Sequence, residues 1–239
     1  MDATGKDVQI DSNSSNTGPN SDHGSGAAII VSNATMTANA LSIGVDDRRY
    51  GDSLRIYEDA GLEARVMIGA SCRLASSSWG RSGEVNYDHR ILVEGGFLSV
   101  GEKLHIGDGG AYYADHDNNR LEIRRANACV SAKELLVYGK SYVDFKIPTG
   151  GFDQVPLQVT STASFAQVPE GAEAAVSEIR VDVTDFSGRQ TLLTAASIAG
   201  LTEDRVVVTV PKSKTAKVFI TETSVTVTAM PTGTFIIVR

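Results

Sequence analysis

The sequence predicts an all-β chain, a single-stranded right-handed parallel β-helix (a solenoid) with degenerate C-terminal capping rungs. Three observations predict it. Four segments, 29–44, 54–69, 91–107 and 121–139, align when each is anchored on its last residue, a glycine. Within them apolar and polar residues alternate with period two, the mark of a half-buried strand. Tight Asn-Gly or Asp-Gly turns are rare, which argues against the hairpins that a sandwich or propeller would need. A rung of this kind cannot bury its apolar face alone. Stacked on a copy of itself it can, with equivalent strands paired in parallel about 4.8 Å apart.

The elements follow in order. Val8-Gln9-Ile10 reads as the strand of an incomplete first rung, and the polar stretch 11–26 as its long corner loop. In the second repeat Leu54 and Ile56 face one way and Arg55 the other. Leu62, Ala64, Val66 and Ile68 share a face, opposite Glu63, Arg65 and Met67. In the third, Ile91, Val93, Leu104 and Ile106 point inward and Lys103 and His105 outward. In the fourth, Leu135 and Val137 form the inward pair, which sets the closing glycine one position later. The glycines Gly44, Gly69, Gly107 and Gly139 suit sharp corners because glycine tolerates positive φ. Beyond them, segments 156–165, 177–186, 191–197, 205–211, 216–230 and 234–239 also read as strands. The expected organisation is therefore an incomplete first rung and polar loop over 1–26, regular rungs over 27–152, and degenerate rungs or a cap over 153–239. A small β-sandwich from about Pro156 is the competing reading of that last part.

Composition narrows the function. The chain has 239 residues, and 22 Lys and Arg against 29 Asp and Glu give a net charge of −7. No positive field exists to gather nucleic-acid phosphates. No apolar run approaches the roughly 18 residues of a membrane span. The two cysteines, Cys72 and Cys129, fall at non-equivalent repeat positions and are expected as free, half-buried thiols. Residues 1–6 do not form the charged and apolar regions of a secretory signal. The preferred expectation is an excised piece of a longer exported chain.

If the rungs stack in register, loops 45–53, 70–90 and 108–120 emerge at one corner. They carry Tyr50, Trp79, Tyr87, Asp88, His89, Arg90, Tyr112, Tyr113, Asp115, His116 and Asp117. Aromatic rings beside carboxylates and arginines on a rigid scaffold make a candidate carbohydrate surface. The bland alternative is solvated loops whose aromatics cover the adjacent strands. No metal site is expected: Asp115, Asp117 and Asn119 begin an EF-hand pattern that Arg120 and Ala126 break, and the histidines and cysteines lack zinc spacing. No cofactor or catalytic residue is assigned. Glu63, Arg65, Lys103, His105, Glu122 and Arg124 read as a mixed-charge scatter on the outward faces rather than as a carboxylate pair.

The pattern Leu41-Ser42-Ile43-Gly44, repeated as Leu104-His105-Ile106-Gly107, joins Asn119-Arg120-Leu121-Glu122-Ile123 and the segment 190–198, which runs through Leu192-Leu193-Thr194-Ala195-Ala196. On these the chain resembles bacterial autotransporter-type passenger repeats and related secreted extracellular β-helix proteins, over 27–227. The resemblance implies a secreted or cell-surface location and a role in adhesion, surface coating or self-association. It transfers no catalytic residue. The functional expectation is a non-catalytic structural or adhesive module presenting its corner loops to carbohydrate or to other copies. A carbohydrate-active enzyme on the same scaffold (polysaccharide lyase or glycoside hydrolase) and a trimeric tailspike-like fibre are the alternatives.

Overall fold

The computed structural model describes residues 2–10, 26–44, 51–58, 61–74, 88–107, 118–165 and 177–233. Among them the chain is all-β, with one three-residue 3-10 turn at Glu203–Arg205. The strands of the first half are β1 (Asp2–Ile10), β2 (Ala28–Ser32), β3 (Thr35–Ile43), β4 (Ser53–Tyr57), β5 (Arg65–Ile68), β6 (Cys72–Leu74), β7 (Arg90–Glu94), β8 (Phe97–Ile106) and β9 (Arg120–Arg124). Those of the second half are β10 (Cys129–Val137), β11 (Tyr142–Lys146), β12 (Leu157–Val159), β13 (Thr162–Phe165), β14 (Glu178–Asp182), β15 (Gly188–Thr194), β16 (Ser197–Ala199), β17 (Val206–Thr209), β18 (Lys214–Ile220) and β19 (Ser224–Pro231).

Two sheets take these strands alternately. A seven-stranded sheet runs β2-β4-β7-β9-β11-β14-β17, and every pairing in it is parallel. A twelve-stranded sheet holds the rest. Strict alternation within each five-residue strand sends two apolar side chains inward, and the parallel register stacks them into columns. One column runs Ile29, Leu54, Ile91, Leu121, Val143, Ile179, Val206. The larger sheet answers with Met36, Val66, Leu98, Val130, Leu157 and Leu193. All but Ile29 and Val206, which are partly buried and pack against it, belong to one continuous core, whose stability comes from apolar area withdrawn from water between the sheets.

The register corrects the glycine alignment. Ile68 pairs with Val100, and Leu74 pairs with Ile106. Gly69 therefore lies within its repeat, level with Gly101, whereas Gly44 and Gly107 follow the last strand of theirs. Gly44 and Gly107 have positive φ, at 67° and 80°, and Gly69 does not share that conformation. The segment after Gly69 is accordingly not all loop, since it begins with β6. Leu62 is a second correction. It is 59% exposed while Ala64, Val66 and Ile68 are buried, because β5 starts only at Arg65 and the period of a strand does not extend into the corner before it.

The described strands between 156 and 209 stay in the same two sheets: β12 and β13 pair with β10, β14 with β11, and β17 with β14. The last two strands change direction of pairing. β19 runs antiparallel to β15, and β18 antiparallel to β19. The turn between them is set by threonine chemistry: the Thr221 hydroxyl accepts the Ser224 amide at 2.9 Å, and the Thr221 amide donates to the Ser224 carbonyl at 2.9 Å. Lys214 and Lys217 lie on β18, which ends the sheet. Lysine on an outermost strand discourages further edge pairing.

Both cysteines are free and both are buried, not half-buried. Cys72 occupies the inward position of its column, paired with Leu41 and Leu104. Burial pushes its thiol up to about 12 and also raises that of Cys129. A thiolate is the reactive species, so neither cysteine should react with a chromogenic disulfide reagent in the folded chain, and both should react in denaturant. Prompt labelling of a native thiol would contradict this burial.

Candidate functional site

The outward residues of the seven-stranded sheet form a charged surface. In β4, β7, β9, β11 and β14 the first, third and fifth residues face away from the core, and the parallel register lines them into three rows. The first is Ser53, Arg90, Arg120, Tyr142 and Glu178. The second is Arg55, Leu92, Glu122, Asp144 and Arg180. The third is Tyr57, Glu94, Arg124, Lys146 and Asp182. Neighbours within a row stand one strand apart, about 4.8 Å.

Glu122 is the centre. Its side chain is only 4% exposed, and its carboxylate is enclosed by the guanidiniums of Arg90, Arg120 and Arg124. Arg55 donates from Nε to Glu94 at 2.7 Å, and Arg180 donates to Glu178 at 3.1 Å. Arg180 also lies 3.6 Å from the centroid of the Tyr142 ring. The Tyr142 hydroxyl accepts from Arg120 Nη1 at 3.0 Å and donates to Asn118 Oδ1 at 2.6 Å. Arg55 and Arg125 each sit 4.8 Å from the Tyr57 centroid. Such stacked guanidiniums gain from the ring quadrupole.

Burial, followed by the nearby Arg120 guanidinium, lowers the pKa of Arg90. Burial, followed by Arg90, does the same for Arg124. The Asp144 carboxyl moves up. Its burial outweighs the opposing pull of Arg124, Arg120 and Arg180. The folded chain therefore holds this proton more tightly than the unfolded chain does. The associated stability is fully present below the ordinary aspartate value and is lost as pH rises through the raised folded value. In Asp144→Asn this pH dependence should disappear. Urea midpoints from about pH 4 to about pH 7 should slope less in the variant than in the parent, and equal slopes would refute the assignment.

A buried polar column supports this face at the corner where each strand begins. Asp52, His89, Asn119, Ser141 and Ser177 precede β4, β7, β9, β11 and β14, and each has no exposed surface. Their carbonyls carry the ladder on: Asp52 accepts the Arg90 amide, His89 that of Arg120, Asn119 that of Tyr142 and Ser141 that of Glu178. The Asp52 amide donates to His89 Nδ1 at 3.2 Å, which places the ring proton of a neutral imidazole on Nε2. Asp52 Oδ1 accepts the Ala27 amide at 2.7 Å, and Asn119 Oδ1 accepts the His89 amide at 3.1 Å. The corner residues before His89 and Asn119 are Asp88 and Asn118, with φ of 57° and 70°. Aspartate and asparagine tolerate that left-handed conformation better than other side chains.

Three of the residues expected at a ligand surface fall in this region. Arg90 lies on the charged face, Asp88 is exposed at the corner and accepts a hydrogen bond from Asn118, and His89 is enclosed in the polar column. Tyr50, Trp79, Tyr87, Tyr112, Tyr113, Asp115, His116 and Asp117 lie outside the described residues. The outward charges also resolve into groups. Glu122 and Arg124 belong to the cluster, whereas Glu63 pairs with Arg65 and Lys103 with Glu134 on the other sheet. Arg55, Arg120, Tyr142, Asp144 and Arg180 were not singled out from the sequence. The signal for the first of these arginine rows was present, because Asp88-His89-Arg90-Ile91-Leu92-Val93 and Asn118-Asn119-Arg120-Leu121-Glu122-Ile123 share Asp/Asn-x-Arg-apolar-x-apolar.

No group of three or more histidine, cysteine or acidic residues with metal-holding geometry occurs among the described residues. No helix among them is long and apolar enough to cross a membrane. Comparison of the chain with protein-family models, curated proteins and solved structures gives no match.

Proposed function

We propose that the chain is a right-handed parallel β-helix serving as a non-catalytic adhesive module of an exported surface protein, and that it displays the outer face of the seven-stranded sheet to carbohydrate. The supporting observation is the three rows of charged and phenolic side chains on five consecutive parallel strands. Backbone ladders hold these side chains at fixed spacing, so a ligand meets a preorganised surface and little ordering entropy is lost on binding. Affinity electrophoresis through gels containing a panel of polysaccharides tests the reading. Retardation by at least one polysaccharide is expected, and free migration through all of them would overturn it.

One observation favours a carbohydrate-active enzyme as a second reading. Asp144, with its raised pKa, stands among arginines on an outward face and has the character of a general acid. Release of reducing or unsaturated sugar ends that Asp144→Asn abolishes would establish that reading in place of the adhesive one.

A further inference from the structure

We propose that the Arg90, Arg120 and Arg124 cluster around Glu122 is an anion-binding site, and that its ligand is a linear polysaccharide bearing carboxylate or sulfate groups. This deepens the carbohydrate-binding reading and rests on it.

A guanidinium carries several N–H donors and no acceptor, and a carboxylate offers about four lone-pair sites. Here three guanidiniums make their ion pairs with one carboxylate, while Glu94 and Asp144 act on Arg90 and Arg124 at longer range. Arg120 reaches one further acceptor, the Tyr142 hydroxyl. The Nε atoms of Arg90, Arg120 and Arg124 are all buried without a hydrogen-bond partner among the described residues. Three buried N–H donors are therefore left without an acceptor at the heart of the face. Like charges are held close together there, and an incoming anion relieves that repulsion.

The local sign of the charge also favours an anion. The three rows hold six cations against five anions, whereas the whole chain carries −7. This face thus departs from the sign of the chain as a whole and offers an anion attraction. Arginine also presents a planar fork that matches carboxylate and sulfate-like oxygens in pairs.

The rings point the same way. A neutral sugar is held mainly by stacking its C–H face on an exposed aromatic. Tyr142 is 4% exposed and has Arg180 on it, and Tyr57 lies under Arg55 and Arg125. The aromatics of this face are committed to guanidiniums, so recognition here is by charge. The rows run across successive strands, which suits an extended polymer carrying charge at regular intervals.

The test compares polygalacturonate, dextran sulfate, neutral dextran and duplex DNA as ligands for the intact chain. Polygalacturonate or dextran sulfate should bind, and the tighter of the two identifies carboxylate or sulfate as the preferred group. Binding should weaken as salt is raised from about 50 to about 500 mM, and Arg124→Gln should weaken it about tenfold or more, the scale of one lost charge-assisted contact. Should that variant fail to fold, titration of the parent with sulfate or oligogalacturonate should shift the side-chain Nε–H resonances of Arg90, Arg120 and Arg124. Unshifted resonances would overturn the site. Neutral dextran bound equally well and insensitive to Arg124→Gln would overturn the anion site but leave the carbohydrate reading standing. DNA bound as tightly as the polysaccharides would overturn the ligand class. Failure to bind any polysaccharide would overturn both.

Discussion

Gly44→Ala should destabilise the chain by about 2–5 kcal/mol, combining about 1–2 for a left-handed alanine with about 1–3 for overpacking. Gly44 sits at φ 67°, and a Cβ there would stand 2.5 Å from His89 Nε2 and 2.6 Å from Nδ1. The ring cannot retreat easily. It has no exposed surface, its Nδ1 accepts the Asp52 amide, and its backbone amide is held by Asn119. Gly44 is equally fixed, because its own amide donates to the Ile10 carbonyl at 3.0 Å and ties β3 to β1. Urea midpoints of Gly44→Ala, His89→Ala and the double variant separate the two terms. Removing the ring relieves the clash but leaves the backbone strain, so the double variant should be more stable than the sum of the singles requires. Strict additivity would show that the ring contact does not cause the loss.

Glu122→Ala should cost about 2–4 kcal/mol, because removing one partner of a buried charge cluster strands the others. The lower end applies if the arginines relax outward, since Arg90, Arg120 and Arg124 keep 27%, 27% and 35% of their side chains exposed. The same variant carries a diagnostic of charge. Sulfate bound among the three guanidiniums replaces the missing carboxylate, so added sodium sulfate should raise the thermal midpoint of Glu122→Ala more than that of the parent. An equal response would mean that the guanidiniums do not need a shared anion, and that the packing of the Glu122 stem accounts for the loss.

How much of this was legible beforehand differs from residue to residue. Leu54, Ile56, Ile91, Val93, Leu104 and Ile106 were placed inward by alternation alone, and all are buried. Alternation is a local property, set by the pleat of one strand. It failed at Leu62, where the strand had not yet begun, and at Gly69, where a glycine of the expected kind sits in the middle of its repeat. The site was less visible. Arg90 was noticed as part of a loop, and Glu122 and Arg124 as scatter, because their neighbours on the folded face come from strands about one repeat away in sequence. His89 drew attention as a loop imidazole, yet it packs on Gly44, and neither residue alone signals that contact.

By itself the sequence determined the all-β character of the chain, the inward residues of its clearest strands and the glycine corners at Gly44 and Gly107. These follow from short-range forces: side-chain alternation, the steric freedom of glycine and the need of each apolar row for cover. Parallel stacking of equivalent strands was also expected, but tertiary structure alone decided the exact register, and so that Arg90, Arg120 and Arg124 converge on Glu122. It also decided that the final hairpin pairs antiparallel with β15. The physical reason is that a backbone ladder accepts many registers with nearly equal hydrogen bonding. The choice among them is made by packing across the core, between residues separated by segments of unequal length.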